Sequence, residues 1–126
     1  MRTVFIVDTD ASVRSGLARL VASADLVPRA CESVLAFIRE SRETKTACAV
    51  LDVSDLFQCE PEIWVQLQVA AAAVPVIAVS TRDDAATRRI ARALGAQAFF
   101  RKPVDAAALL DSIDWVMRAE APGRPH

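Results

Sequence analysis

The run Ala47-Cys48-Ala49-Val50-Leu51-Asp52 constrains the fold more than any other stretch of the chain. Small and apolar residues lead, without alternation, into a single carboxylate. A strand with one wet face alternates polar and apolar side chains, whereas a continuous apolar run is buried on both faces inside a parallel sheet. Open α/β sheets keep their ligands and chemistry beyond the carboxyl ends of the strands. Asp52 stands at such an end and is a candidate functional residue.

Other runs of this kind punctuate the chain: Thr3 to Asp8, Leu26 to Cys31, Pro75 to Ser80 and Ala96 to Arg101. Pro28 suggests that the second of these strands lies near the sheet edge. Helical spacing fills the gaps. Val13, Leu17, Leu20 and Val21 form one core stripe, capped by Asp10 or Ser12, with Arg14 and Arg19 off the stripe and towards water. Ser33 caps a helix carrying Val34, Leu35 and Ile38. Pro61 suits a first helical position, followed by Ile63, Leu67 and Ala70. Asp83 or Asp84 caps a helix through Ile90 and Leu94, which Gly95 ends. Asp105 caps a last helix with Leu109, Ile113, Val116 and Met117. The segment from Val53 to Glu60 fits no regular element. Strands alternating with helices imply parallel pairing and right-handed crossovers. The expected fold is α/β and flavodoxin-like: a (βα)5 three-layer sandwich whose five-stranded parallel sheet has the order 2-1-3-4-5, with Asp8 and Asp52 adjacent at the switch point. One domain over residues 1–120 and a flexible tail over 121–126 are expected.

Composition narrows the function. The 126 residues carry 15 basic and 16 acidic side chains, net −1. That argues against a nucleic-acid binder working by phosphate neutralisation. No apolar run reaches the ~20 residues of a membrane span. The N-terminus enters a strand pattern directly, with no room for a signal peptide, so the expected location is the cytoplasm. The three cysteines, Cys31, Cys48 and Cys59, lack metal-pair spacing and read as free thiols. The single histidine is His126, which removes Ser–His and Cys–His catalysis and most zinc sites.

Four apolar runs end in a polar group: Asp8, Asp52, Ser80 and Lys102. In a parallel sheet all four emerge on one edge. Two carboxylates, a hydroxyl and an ammonium make a set suited to handling a phosphoryl group. A carboxylate can be the nucleophile that becomes an acyl phosphate. Carboxylate oxygens can hold a hard cation, and the lysine and hydroxyl can bind phosphoryl oxygens.

On these residues the chain resembles the response-regulator receiver domains of two-component signalling, most closely the FixJ-like receivers. The segments that carry the resemblance are Val4-Phe5-Ile6-Val7-Asp8, Val50-Leu51-Asp52-Val53, Val74 to Ser80, Gly95-Ala96 and Phe99-Phe100-Arg101-Lys102-Pro103. The resemblance implies a signalling module rather than an enzyme. It implies that Asp52 is the phosphoacceptor, served by a histidine kinase or phosphotransfer protein. Lys102 matches the lysine that binds the phosphoryl group. Ser80 and Phe99 match the hydroxyl and aromatic of the switch. The Lys102–Pro103 bond matches one that is cis in the family. Asp8, Asp52 and the Ser54 backbone carbonyl match the ligands of a Mg²⁺ cofactor. The face of the fourth helix, fifth strand and fifth helix, with Arg88, Arg89, Arg92, Arg101, Asp111 and Asp114, matches the output surface. It serves a downstream protein or a homodimer, not nucleic acid or membrane. Of the two tryptophans, Trp64 and Trp115, the second is the better interface candidate because it lies near the C-terminal end beside this face; a packed core role is the equal alternative.

The chain departs from the family at two places. The second acid of the acidic pair falls on Thr9, which offers a neutral oxygen and weakens the metal site. Asp10 is a substitute only if the loop shifts, and a helix cap is its plainer role. The loop after Asp52 lacks the usual Met-Pro and Gly, and its charges Asp55 and Glu60 read most simply as solvated. Two readings follow: a single-domain receiver phosphorylated on Asp52, or a degenerate receiver acting as a phosphorylation-independent interaction module. A flavodoxin-like enzyme or nucleotide-binding protein is a third, opposed by the absence of a Gly-rich phosphate loop.

Overall fold

A computed structural model describes residues 2–44, 47–54 and 56–119. The elements run β1 (Thr3–Val7), α1 (Ala11–Ser23), β2 (Val27–Cys31), α2 (Val34–Ser41), β3 (Ala47–Asp52), a 3-10 turn (Leu56–Gln58), α3 (Pro61–Ala73), β4 (Val76–Ser80), α4 (Ala85–Ala93), β5 (Ala98–Arg101) and α5 (Ala106–Ala119). All strand pairings are parallel and the sheet order is β2-β1-β3-β4-β5, as the alternation predicts. Pro28 duly lies on an edge strand. The expected tail over 121–126 lies outside the described residues.

The strands read as unbroken apolar runs because each face of the sheet has its own core. Phe5, Val7, Ala49 and Leu51 pack with Phe37 of α2, Leu67 of α3 and Ala91 of α4. Val4, Ile6, Cys48 and Val50 point the other way, against Val21 of α1 and Leu109 and Ile113 of α5. Successive side chains therefore alternate between two apolar layers rather than between core and water. Phe5 and Phe37 meet edge to face, with ring centroids 5.3 Å apart.

The helix boundaries follow their caps. The Asp10 carboxylate accepts from Ser12 N at 2.9 Å and Val13 N at 3.2 Å. Ser33 accepts from Ala36 N and Asp84 from Thr87 N, so of the two candidates for α4 the cap is Asp84. Gly95 holds φ +70° beyond α4, the left-handed conformation expected of a helix stop. The fifth strand starts two residues later than the sequence suggests, because the Ala96 N–H is spent on the Ala91 carbonyl at the helix end. The segment after Asp52, featureless in sequence, contains the 3-10 turn, with Leu56 buried and Phe57 exposed. Cys31, Cys48 and Cys59 are free, and burial pushes the thiols of Cys31 and Cys48 up to about 12, with a hydrogen bond from Cys31 to Glu40 adding to its shift.

Candidate functional site: two carboxylates on one lysine

The strand register builds the site. Val7 pairs with Leu51, so the next residues, Asp8 just beyond β1 and Asp52 at the end of β3, stand side by side at one edge. Ser80 pairs with Arg101, which puts Lys102 one residue beyond the end of β4. Lys102 Nζ lies 2.6 Å from Asp8 Oδ2 and 3.0 Å from Asp52 Oδ2. The other carboxylate oxygens are also held, Asp8 Oδ1 by Asp10 N and Asp52 Oδ1 by Ser54 N, each at 2.9 Å. Side-chain exposure is 2% for Asp8, 14% for Lys102 and 17% for Asp52, so Asp52 is the more accessible acid. Burial alone would lower the Lys102 ammonium, but the hydrogen bonds it donates to both carboxylates, and their charges, raise it above its ordinary value. The Lys102–Pro103 peptide is cis.

Asp8 and Asp52 open onto a cavity of about 370 Å³, which Thr9, Leu35, Leu56 and Ile63 also line. A group carried by another protein can therefore approach Asp52 from outside. Thr9 is exposed at this mouth. Among the described residues no group of three or more His, Cys, Asp or Glu side chains converges as a metal site. The acidic donors that Asp8 and Asp52 present here are their two carboxylates. They fit Mg²⁺ to the extent that one or two carboxylates plus a phosphoryl group suffice for it, and Lys102 competes for the same oxygens. Asp10 does not replace the missing acid, because its carboxylate is taken as a helix cap. Glu60 lines the cavity wall, and Asp55 lies outside the described residues.

Ser80 is fully buried, and its hydroxyl lies 3.1 Å from Ser54 Oγ, not against Asp52. Phe99 is half-buried in β5 with the Arg88 guanidinium 4.8 Å above its ring, and Arg88 is paired with Asp83. Arg89, Arg92, Arg101, Asp111 and Asp114 are exposed, and Asp114 pairs with Arg118 at 2.7 Å. Trp115 is 62% exposed, whereas Trp64 packs against the core.

Arg14 corrects a sequence expectation. It does not point to water: its Nη1 donates to the Asp8 carbonyl at 2.8 Å, pinning the turn that carries the first carboxylate. An arginine one turn into a helix carries no periodic signal of such a contact. Arg14→Met keeps the stem and removes the donor. It is expected to lower unfolding stability by about 1–2 kcal/mol, read from urea denaturation; an unchanged midpoint would mean that Asp8 is held without it.

The comparisons agree with this geometry. The family described as the response regulator receiver domain matches residues 4–114. The transcriptional regulatory protein TdiR of Thauera aromatica is 34% identical over 116 residues, covering 89% of this chain and 49% of that protein. The chain thus spans about half the length of this curated relative. A response regulator receiver protein from Burkholderia phymatum is 31% identical, with TM-score 0.73 and coverage of 97% of this chain and 99% of that one. A CheY-like receiver domain protein from Methanospirillum hungatei JF-1 shares the fold at TM-score 0.79 and 16% identity, over 95% of this chain and 96% of that one. With the family matched over residues 4–114, the chain belongs to the response-regulator receiver domains of two-component signalling.

Proposed function

We propose that this receiver, read as one unit over residues 1–120 in the cytoplasm, accepts a phosphoryl group on Asp52 and signals by protein–protein contact. The donor is a histidine kinase or phosphotransfer protein. The observation that carries the reading is Lys102 bridging Asp8 and Asp52 at the mouth of an open cavity. An Asp52 carboxylate oxygen attacks the phosphorus, the P–N bond to the donor imidazole breaks with its electron pair going to nitrogen, and the ring, already protonated on its other nitrogen, leaves as neutral imidazole. The product is an acyl phosphate on Asp52. Lys102 then neutralises oxygens of the new group through charge-assisted hydrogen bonds. When bound between Asp8, Asp52 and the Ser54 carbonyl, Mg²⁺ would screen phosphoryl charge.

The switch follows from what must move. Ser80 turns towards the phosphoryl oxygens, and Phe99 follows inward from beneath Arg88. The face of α4, β5 and α5 shifts between two populations, which a downstream protein or a second copy distinguishes. The net charge and the exposed Trp115 favour a protein on that face over nucleic acid. Among the described residues no helix is long and apolar enough to cross a membrane. Thr9 is the feature that favours the phosphorylation-independent alternative; the intact Asp8–Lys102–Asp52 contacts favour phosphorylation.

The test is intact mass after incubation with acetyl phosphate, with and without Mg²⁺, beside Asp52→Asn. One added phosphoryl group is expected, absent in the variant. A folded sample that gains nothing from high donor and Mg²⁺, nor from a histidine kinase, would move the protein to the interaction-module reading.

A further inference from the structure

We propose that the Ser54 side chain is a latch that holds the Ser80 hydroxyl in its resting direction. The sequence singles out Ser54 only for its backbone carbonyl, yet its hydroxyl is the hub between the loop after β3 and the loop after β4. Ser54 Oγ lies 3.1 Å from Ser80 Oγ and 3.4 Å from Thr81 Oγ1, and accepts from Thr81 N at 3.1 Å. Ser80 Oγ in turn accepts from Arg82 N at 2.9 Å. The Arg82 guanidinium lies 5.3 Å over the Phe57 ring, tying the same two loops a second time.

Proton bookkeeping fixes the direction of these bonds. A hydroxyl has one proton to give and two lone pairs to accept with. Ser80 is fully buried, so no water takes its proton, and no buried side-chain oxygen in the described residues lacks a partner. The acceptor within reach is Ser54 Oγ. Ser54 then accepts from Ser80 and from Thr81 N, and gives its own proton to Thr81 Oγ1. The protons of Ser80, Ser54 and the Thr81 amide are then all used, and the Ser80 proton is given to Ser54 rather than to Asp52. A phosphoryl group on Asp52 must therefore outcompete Ser54 for it. Removing Ser54 Oγ destabilises the resting direction selectively, and the active one becomes easier to reach.

The inference rests on the phosphorylation reading above, so its test separates the two. Beryllofluoride, a phosphoryl mimic that adds to a carboxylate oxygen, is titrated into the protein and followed by amide NMR shifts of Phe99 and Lys102. In Ser54→Ala the half-saturating concentration is expected to fall about fivefold, the worth of one ordinary hydrogen bond. In a Ser80→Ala background the same substitution should change it less than about twofold, since there is no hydroxyl left to release. A Ser54→Ala effect that is absent, or equal in both backgrounds, overturns the latch. If no variant and not the parent takes up the mimic, phosphorylation is what has failed. The latch is then decided by hydrogen exchange of the Thr81 and Arg82 amides: faster in Ser54→Ala supports it, unchanged overturns it.

Discussion

Lys102→Met is expected to slow phosphoryl uptake by Asp52 about tenfold or more and to lower stability by about 2–3 kcal/mol. The two losses have different causes and can be separated. The stability loss arises because Asp8, only 2% exposed, is left beside Asp52 with no counter-charge. Breaking a buried charge set by removing one partner costs about 3–5 kcal/mol; the partial exposure of Lys102 and Asp52 reduces that. Asp8→Asn in the same chain removes the opposing charge and should restore most of the lost stability. It should not restore uptake, because the cation that stabilises the transferring group is still missing. A double variant as unstable as Lys102→Met would show that the loss comes from packing instead. The alkaline limb gives an independent check. The Lys102 pKa is raised in the folded state. Its contribution is therefore complete below the unfolded value of about 10.4 and is lost as pH rises through the folded one. Wild type should lose this increment at high pH, and Lys102→Met should have none to lose.

The contrast between Asp52 and Arg14 says what a sequence of this kind discloses. Asp8, Asp52, Ser80 and Lys102 were legible because each closes an apolar run, and a parallel sheet brings run ends to one edge. Their meeting needed only the strand order, which alternation supplies. Arg14, the Ser54 hydroxyl and the Arg82–Phe57 stack were not legible. Each is a contact between loops or from a helix surface, set by backbone turns that have no period. The 3-10 turn after Asp52 escaped for the same reason: its order comes from burying Leu56 against the core, not from local spacing. The edge that gathers these polar groups is written in the strands; the ties between the loops are not.

Thr9→Asp is expected to raise Mg²⁺ affinity roughly tenfold or more, read by calorimetric titration. Thr9 follows Asp8 directly and lines the same cavity as Asp52, so a carboxylate there adds a full charge to the donor set without moving a strand. In the present chain two carboxylates share one ammonium, and a divalent cation must displace Lys102 from them with only neutral help from position 9. A third acid changes that balance, since opposite charges ~4 Å apart gain several kcal/mol at an effective dielectric near 20, much of it offset by lost hydration. The same substitution should destabilise the metal-free protein by about 1 kcal/mol through like-charge repulsion. Added Mg²⁺ should reverse that loss as RT ln(1 + [Mg²⁺]/Kd). Thermal unfolding with and without Mg²⁺ would read both effects in one experiment. Equal Mg²⁺ responses in wild type and Thr9→Asp would mean that position 9 does not face the cation. Any difference in Mg²⁺ response would then be sought in the loop after Asp52, where Ser54 turns its hydroxyl to Ser80 and Thr81.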